Sequence, residues 1–503
     1  MNLAIRVDSS ESIGTGHIVR CITLAKELRK LGLKVHFISK PHKGNILGVV
    51  KKNKFSLSKI KPELNIKKDI KETSKILKKY KINLLILDNY DLNLVWEKGI
   101  KKYLKKLIVI SDLTKQNSCD ILINSNFLQN KKKSLGKFYL KNRNINSRFL
   151  FGLRYAILNN EYQKIKQNIK IKKQLKRINI FFGGFKGSLN LLEDVVNVMS
   201  SKIFKKIKLD IISGLNQKIS KRINLKLKLR GNFKIFQNLP NLANSFKNAD
   251  LAIGCGGVAN LERLCLGIPS LVFLAAKNQE ILGNTLAKKN LIIKIKKKNN
   301  QIDKEHLFKL VSKFYKDKNL IKKFSEKTKL IVDGFGTKRI ARSVIGFEKP
   351  DLKIRKVNKR DANILLDMAN DKNVRQNAFN KRFINYDNHM QWFNKKLKNK
   401  NVHMYIAKDL NDLVIGQVRF DYVNIKKKYS VDISIDECAR GYGIGKLLLK
   451  KAINKIPYNK LKSKNFFARV LNKNIASHKL FLDCNFYKNK TNNKFTEYEY
   501  NIN

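Results

Sequence analysis

Leu3-Ala4-Ile5-Arg6-Val7-Asp8-Ser9-Ser10-Glu11-Ser12-Ile13-Gly14-Thr15-Gly16-His17-Ile18-Val19-Arg20-Cys21-Ile22 joins a run of strand length to a helical repeat through a serine- and glycine-rich turn. Ile18, Cys21, Ile22, Ala25 and Leu28 recur at helical spacing, and Gly32 follows as a stop signal. Strand, glycine turn and helix make an anion-binding geometry, because free N–H groups and the helix dipole point into the loop. A dinucleotide fingerprint would place a third glycine at Val19 and an acid at the end of the second strand, which instead closes on Ser39-Lys40. That argues against a nicotinamide cofactor. His17 stands at the helix start, where the dipole favours the neutral imidazole that can accept a proton.

Working outward, Val35–Ile38, Leu84–Leu87, Leu107–Ile110 and Ile121–Ile123 are further apolar runs without polar alternation, as in strands buried on both faces of a parallel sheet. A second series follows a Lys-rich stretch near 163–176: Ile178–Phe182, Leu209–Ile212, Phe233–Phe236, Leu251–Ile253 and Ser270–Leu274. Two βα series of similar size predict two doubly wound halves with a ligand cleft at the carboxyl ends of their strands. The pattern breaks at Phe347-Glu348-Lys349-Pro350-Asp351. Beyond it come a strand at Lys353–Val357, helices, and antiparallel-looking strands at Val402–Ala407, Ile415–Asp421 and Val431–Ile435. The expected domains are therefore 1–155, 156–346 and 351–503.

Composition narrows the class. The chain has 503 residues, 43% of them hydrophobic, with 6 Pro and 25 Gly, which supports real cores and excludes collagen-like or wholly disordered chains. No segment reaches the ~18 consecutive apolar residues of a membrane helix, and the start lacks a signal-peptide pattern, so the expectation is a soluble cytoplasmic protein without membrane partners. The formal charge of +69 comes from Lys spread along the whole chain beside Asn and Ile. All three residues have AT-rich codons, and a nucleic-acid site would show a localised patch, so no nucleic-acid partner is expected. A field favourable to anionic substrates is. The six cysteines are scattered without C-x-x-C, and the seven histidines form no ligand cluster; neither a disulfide framework nor a metal site is expected.

The opening segment resembles the UDP-sugar hydrolases of pseudaminic acid biosynthesis, which are built on the two-domain fold of GT-B glycosyltransferases. The resemblance continues through Leu87-Asp88-Asn89-Tyr90, Cys119–Asn124, Phe151–Ala156, Asp250–Gly257, Glu262–Ser270, Asn278-Gln279 and Asp333–Gly336, over about residues 1–345. It implies a GT-B-like pair of Rossmann-like domains in which His17 activates the water that attacks the anomeric carbon. It also implies UDP or substrate contacts from Asp8, Gly14, Gly16, Arg20, Asn278 and Gln279. Backbone amides of Gly256 and Gly257 would face the diphosphate, Glu262 the ribose hydroxyls, and Asn260 the water or a phosphate. Val258-Ala259-Asn260 departs from the hydroxyl-rich stretch often seen there.

Near the carboxy terminus, Arg440-Gly441-Tyr442-Gly443-Ile444-Gly445-Lys446 follows a strand and opens a helix. A Walker loop is ruled out, since Arg440 stands at the first glycine position and Leu447 where Ser or Thr would bind magnesium. The R-x-x-G-x-G string resembles the acetyl-CoA loop of the GNAT acetyltransferase superfamily, whose amides and helix dipole hold the coenzyme pyrophosphate. Asn370-Asp371, Val374-Arg375, His389, Trp392-Phe393 and Ile415–Asp421 are similar to acetyltransferases of nucleotide-linked amino sugars. Asn472, Asn474, Ser477, Leu480-Phe481 and Asn485-Phe486 resemble the closing motif. The resemblance spans about residues 352–490 and implies an α+β GNAT domain. Acetyl-CoA would be its co-substrate, contacted by Ile433, Ile435, Arg440, Gly441, Tyr442, Gly443, Ile444, Gly445, Lys446, Asn472 and Ser477. The tyrosine that often protonates the thiolate falls at Phe481, with Tyr487 nearby. His389 and Trp392 read equally as sugar contacts or as helix-face packing.

The fold class expected is thus α/β, a GT-B-like pair followed by a GNAT domain. The function implied is bifunctional: acetyl-CoA-dependent N-acetylation of UDP-4-amino-4,6-dideoxy-N-acetyl-β-L-altrosamine, then hydrolysis of the UDP-2,4-diacetamido-2,4,6-trideoxy sugar to UDP and free sugar. Rival readings are a glycosyltransferase on the same scaffold, fused to an acyltransferase for another amino sugar, and a basic RNA-binding protein.

Overall fold

The computed structural model describes residues 1–113, 115–126, 147–185, 187–214, 217–237, 239, 241–299, 301–329, 331–347, 352–457, 459 and 461–502. They form two compact units, Met1–Ala341 and Arg342–Asn503.

In the first unit, β1 (Asn2–Val7), β2 (Lys34–Ser39), β3 (Ser56–Lys59), β4 (Leu84–Asp88), β5 (Lys106–Ile110), β6 (Ile121–Asn124) and β7 (Arg148–Phe151) lie in the order β3-β2-β1-β4-β5-β6-β7, every neighbouring pair parallel. The central strands are buried throughout, which is why Leu84–Leu87 carries no polar alternation. A second parallel sheet runs β10-β9-β8-β11-β12-β13 from β8 (Arg177–Phe181), β9 (Lys208–Ile212), β10 (Phe233–Phe236), β11 (Leu251–Cys255), β12 (Ser270–Phe273) and β13 (Ile293–Lys294). Its two faces bury separate clusters, one around Ile178, Ile180, Leu209 and Leu251, the other around Phe246, Leu264 and Val272. β14 (Lys297–Lys298) and β15 (Gln301–Ile302) add a short antiparallel ladder. The order in which strands are added reverses between β1 and β4 and between β8 and β11, all of them staying parallel. Crevices open at such switch points, beyond the carboxyl ends of the strands. Two strands of the first sheet, β3 and β7, were not expected. Ser56-Leu57-Ser58-Lys59, on one sheet edge, holds a single apolar residue and shows no buried-strand signal, whereas Phe149-Leu150-Phe151 on the other edge is an apolar run as long as Ile121–Ile123 and was legible.

The second unit is a mixed sheet in the order β16-β17-β18-β19-β20-β22-β21, from β16 (Lys353–Lys356), β17 (Val402–Lys408), β18 (Val414–Val423), β19 (Lys428–Ile435), β20 (Asn465–Leu471), β21 (Tyr487–Thr491) and β22 (Phe495–Asn501). All its pairs are antiparallel except β19 with β20, whose recorded pairing is confined to Tyr429↔Phe466 and Ser430↔Phe467. Beyond Ser430 the two strands part, so Val431–Ile435 has no ladder with β20.

Candidate active site

Helix α1 (Gly16–Lys30) starts at the switch point of the first sheet. Gly14 takes φ +81°, a left-handed backbone that glycine adopts without strain. Ser10 Oγ accepts the amides of Ser12 (3.2 Å) and Ile13 (2.9 Å), folding the turn back on itself. The first recorded backbone bond at the helix start runs from Val19 N–H to the Thr15 carbonyl (3.2 Å), so the amides of Gly16, His17 and Ile18 precede it.

Val7 and Asp88 are register partners on β1 and β4, so the sheet brings the turn after β1 beside the end of β4. There His17 Nδ1 lies 2.7 Å from Asp88 Oδ1. Arg20, three residues along α1, donates from Nε to Asp88 Oδ2 (2.7 Å), from Nη2 to Asp88 Oδ1 (2.6 Å) and from Nη1 to Asp112 Oδ2 (2.7 Å). Asp112 also accepts from the Tyr90 hydroxyl (2.6 Å) and Asn126 Nδ2 (2.9 Å). The Tyr90 ring stands edge-on to the imidazole, centroids 4.6 Å apart. Burial pushes the Asp88 carboxyl up, but the charges of Arg20 and His17 outweigh it and hold it well below the usual carboxylate range. Burial and Asp112 raise the Tyr90 phenol far above its ordinary value.

Asp88, Tyr90 and Asp112 were not among the expected site residues. The available signal was a carboxylate directly after the all-apolar run Leu84–Leu87, where a parallel strand delivers its carboxyl end to the crevice. Two expected ligand contacts are otherwise engaged. The buried Asp8 carboxylate accepts from Arg6 Nη1 (2.5 Å), Lys40 N (2.7 Å), Asn89 Nδ2 (2.7 Å) and Ser39 Oγ (3.2 Å), tying together the segments after β1, β2 and β4. Arg20 spends its donors on two carboxylates. Gly14 and Gly16 face open space.

At the second switch point, Gly254 pairs with Phe181, so the segments after β8 and β11 emerge side by side. After β8 comes Phe182-Gly183-Gly184-Phe185, then Gly187, the cap of helix α2 (Ser188–Met199). Gly183 and Gly187 have φ of +92° and +96°. A Cβ at Gly184 would lie 3.4 Å from Thr15 Oγ1, so this glycine turn faces the His17 turn across the cleft. The turn was not anticipated, although glycines between a strand and a helix were legible. After β11, Gly257 is exposed at the start of helix α3 (Val258–Leu266). The Gly256 amide, expected on a diphosphate, instead donates to Gln279 Oε1 (3.3 Å), which also accepts Ala275 N–H (3.1 Å). Gln279 thus shapes the turn through its carbonyl. The side chain of Asn278 lies outside the described residues. Asn260 is fully buried with neither side-chain polar atom hydrogen-bonded among the described residues. Burial raises the Glu262 carboxyl to about 7, the Tyr162 hydroxyl and Arg263 pulling the other way. Arg263, fully buried, donates from Nη2 to the Cys255 carbonyl (2.6 Å), and burial lowers it to about 10.

In the second unit, Ile433 and Ile435 are half-buried on β19, in the stretch without a β20 ladder. Gly441 and Gly443 take φ of +82° and +72°, and Gly443 caps helix α4 (Ile444–Ile453). The amides of Ile444, Gly445 and Lys446 precede the bond from Leu447 N–H to the Gly443 carbonyl. Arg440 braces this loop rather than projecting from it: Nε donates to the Ile435 carbonyl (3.0 Å) and Nη2 to Asp371 (2.6 Å). Tyr442 packs on Phe347, centroids 5.4 Å apart. Ser477 lies in the first turn of helix α5 (Ile475–Asp483), and Asn474 Oδ1 accepts its amide (3.3 Å). Phe481 is buried against Phe486 and Tyr498. Tyr487 is half exposed on edge strand β21, its hydroxyl on Glu499. The phenol near α5 is Tyr498, 2.8 Å from His478 Nδ1, a pair the sequence reading missed. His389 is buried, its Nε2 2.7 Å from the Ala362 carbonyl, and Trp392 lies under the Arg419 guanidinium, 4.9 Å away.

A cleft of about 1020 Å³ is lined by Phe379, Lys381, Arg382, Asn472, Lys473 and Lys494 among others, with no acidic residue in its lining. Within that lining, Asn472 donates to the Asn492 carbonyl (2.7 Å) and accepts from Thr496 Oγ1 (3.2 Å). Among the described residues no group of three or more His, Cys, Asp or Glu could hold a metal, and no helix is long and apolar enough to cross a membrane.

Comparison with known proteins follows this division. Residues 351–486 match the family described as acetyltransferase (GNAT) domain. The chain is 26% identical to an uncharacterised protein of Methanocaldococcus jannaschii over the full length of both. It is 28% identical to the UDP-2,4-diacetamido-2,4,6-trideoxy-β-L-altropyranose hydrolase of Campylobacter jejuni over 304 residues, 59% of this chain and all of that protein. MurG of Acinetobacter baumannii superposes with a TM-score of 0.50 at 13% identity, covering 68% of this chain and 99% of that one, a likeness of fold. The chain therefore joins an amino-terminal region similar to a UDP-sugar hydrolase, on a MurG-like pair of parallel sheets, to a carboxy-terminal GNAT domain.

Proposed function

We propose that the protein is a bifunctional sugar-nucleotide enzyme. Residues 351–503 acetylate the 4-amino group of a UDP-linked 4-amino-4,6-dideoxy-N-acetyl-altrosamine from acetyl-CoA. Residues 1–155 and 156–346 then hydrolyse the UDP-2,4-diacetamido sugar to UDP and free sugar. The observation that carries the hydrolase reading is the 2.7 Å contact between His17 and Asp88 at a sheet switch point. With Nδ1–H donating a hydrogen bond to the Asp88 carboxylate, the imidazole presents a bare Nε2 to a water. The water attacks the anomeric carbon, its proton passes to Nε2, and the carbon–oxygen bond to UDP breaks with its electron pair leaving on the diphosphate. The glycine turns after β8 and β11, with the starts of α2 and α3, supply amides for that developing charge.

In the second unit the amides opening α4 suit a coenzyme pyrophosphate, and the unladdered edge of β19 suits an extended pantetheine arm. A neutral amine attacks the thioester carbon, loses a proton to water or a nearby base, and expels the thiolate. The cationic lining of the 1020 Å³ cleft suits an acceptor carrying a diphosphate and disfavours a polycationic one.

The test is incubation of the full chain with acetyl-CoA and the UDP-linked 4-amino sugar, following thiol, UDP and sugar by mass spectrometry. Free diacetamido sugar and UDP, without any added acceptor, are expected. Intact acetylated UDP-sugar after prolonged incubation with folded protein would sink the hydrolase reading.

A further inference from the structure

Resting on the acetyl-transfer reading of residues 351–503, we propose that the cleft between the loop 377–385 and the β21–β22 turn is a nucleoside-diphosphate subsite. Free UDP occupies it in competition with the acceptor and so inhibits acetylation.

Both walls of the cleft are fixed by side chains. On one side Asn370 Nδ2 donates to the Ile384 carbonyl (2.8 Å), and Asn370 Oδ1 accepts the Ile384 amide (2.9 Å). Arg375 Nη1 donates to the Asn380 carbonyl (3.1 Å), and Asn380 Oδ1 accepts the Arg382 amide (2.9 Å). Asn370 and Arg375, singled out in the sequence, thus hold one wall in place. On the other side Asn492 Oδ1 accepts the amides of Lys494 (2.9 Å) and Phe495 (2.8 Å), while Asn472 holds the Asn492 carbonyl.

Lys381 and Arg382 line the first wall, Lys494 the second, and Lys473 the stretch between them. All four are exposed, and the lining contains no Asp or Glu to pair them. Acids of the same unit pair elsewhere: Asp371 with Arg440, Asp421 with Lys396 and Arg419, Glu497 with Lys426 and Arg469, Glu499 with Lys428. Like charges gathered in a cleft repel one another and attract a multiply charged anion. Lysine alone is common on this surface; here it adjoins a held aromatic face. Phe379, half exposed in the same lining, meets Phe495 edge-on with centroids 5.9 Å apart, and the Arg469 guanidinium lies 5.1 Å from the Phe495 ring. An exposed, braced ring offers a base a stacking face, and the cations beside it offer its diphosphate a counter-charge.

The cleft takes in Leu471, Asn472 and Lys473, at and just beyond the end of β20, while the loop 440–446 follows β19. Those strands are parallel and part after Ser430, so cleft and loop lie at the same end of the sheet, on either side of the gap. The coenzyme pyrophosphate and the acceptor diphosphate therefore have separate amide and cation sites. Coenzyme phosphates share the chemistry of UDP, and the pattern of inhibition separates the two sources.

The experiment follows thiol release by the full chain carrying His17→Ala, so that no UDP forms during the assay. Added UDP is expected to compete with the UDP-linked 4-amino sugar and not with acetyl-CoA, and uridine to inhibit at least about 10-fold more weakly. Lys381→Gln with Lys473→Gln should raise the acceptor KM and the UDP inhibition constant together by about 10-fold or more, leaving the acetyl-CoA KM within about 2-fold. Phe379→Ala should raise the acceptor KM by about 5-fold or more. No inhibition by UDP, competition against acetyl-CoA, or a rise confined to the acetyl-CoA KM overturns the subsite while leaving acetyl transfer standing. No acetylation of the UDP-linked amine at all overturns both. Should the double variant not fold, Phe379→Ala and the inhibition pattern of the parent chain decide.

Discussion

Asp88 has its two oxygens shared between a ring nitrogen and a guanidinium, so its removal acts through His17. Asp88→Asn keeps the shape but can present its amide to Nδ1, stabilising the wrong tautomer. A fall in kcat for UDP release of about 10²–10⁴-fold is expected, with KM changing far less, and His17→Ala should fall at least as far. Steady-state kinetics on the acetylated UDP-sugar check both. Glu262 offers a pH signature. Burial raises its carboxyl from 4.5 to about 7, so the folded chain holds a proton that the unfolded chain has released across that window. Stability contributed by this group therefore falls as pH rises from 4.5 to about 7. Glu262→Gln should flatten the fall, seen as a melting temperature that declines less between those pH values. The residue names around the site were legible, but their partners were not: Arg20 and Asp8 read as ligand contacts, and sequence does not reveal that two carboxylates fold in around Arg20 and four donors around Asp8.

At the scale of elements, the starts of helices carry the proposed anion sites. Gly443 sits at φ +72° directly before α4, where a Cβ costs about 1–2 kcal/mol. Gly443→Ala should lower the stability of the full chain by that order and raise KM for acetyl-CoA, measured by denaturant melts and initial rates. Gly443→Trp should stop acetylation outright by filling the loop. Elements with long apolar runs were readable before the fold was known, and so was the glycine loop at 440–446. β3 was not, because an edge strand buries one face or less and gains its pairing from a neighbour. Nor could sequence show that β19 and β20 part after Ser430, since that depends on how two distant strands twist past each other.

For the whole molecule, the bifunctional reading proposed above assigns one activity to each end of the chain, so the two should be separable. His17→Ala should abolish UDP release while acetylation continues, and Gly443→Trp should do the reverse when pre-acetylated substrate is supplied; either variant stopping both reactions in folded protein contradicts the division. All six cysteines are buried free thiols, so a thiol reagent should label almost none in the native chain and all six in denaturant, read by mass spectrometry. What the chain's own string of residues determined was its architecture: apolar periodicity and glycine punctuation are local, and they dictate strands, helices and the order in which they alternate. What only tertiary structure decided was which polar groups meet. His17, Asp88 and Asp112 are far apart in sequence and are assembled by the parallel register of β1, β4 and β5, and the Gly256 amide reaches Gln279 because β11 and β12 lie side by side. Hydrogen bonds and charge pairs act over a few ångströms, so their partners follow from register and packing, which no local pattern encodes.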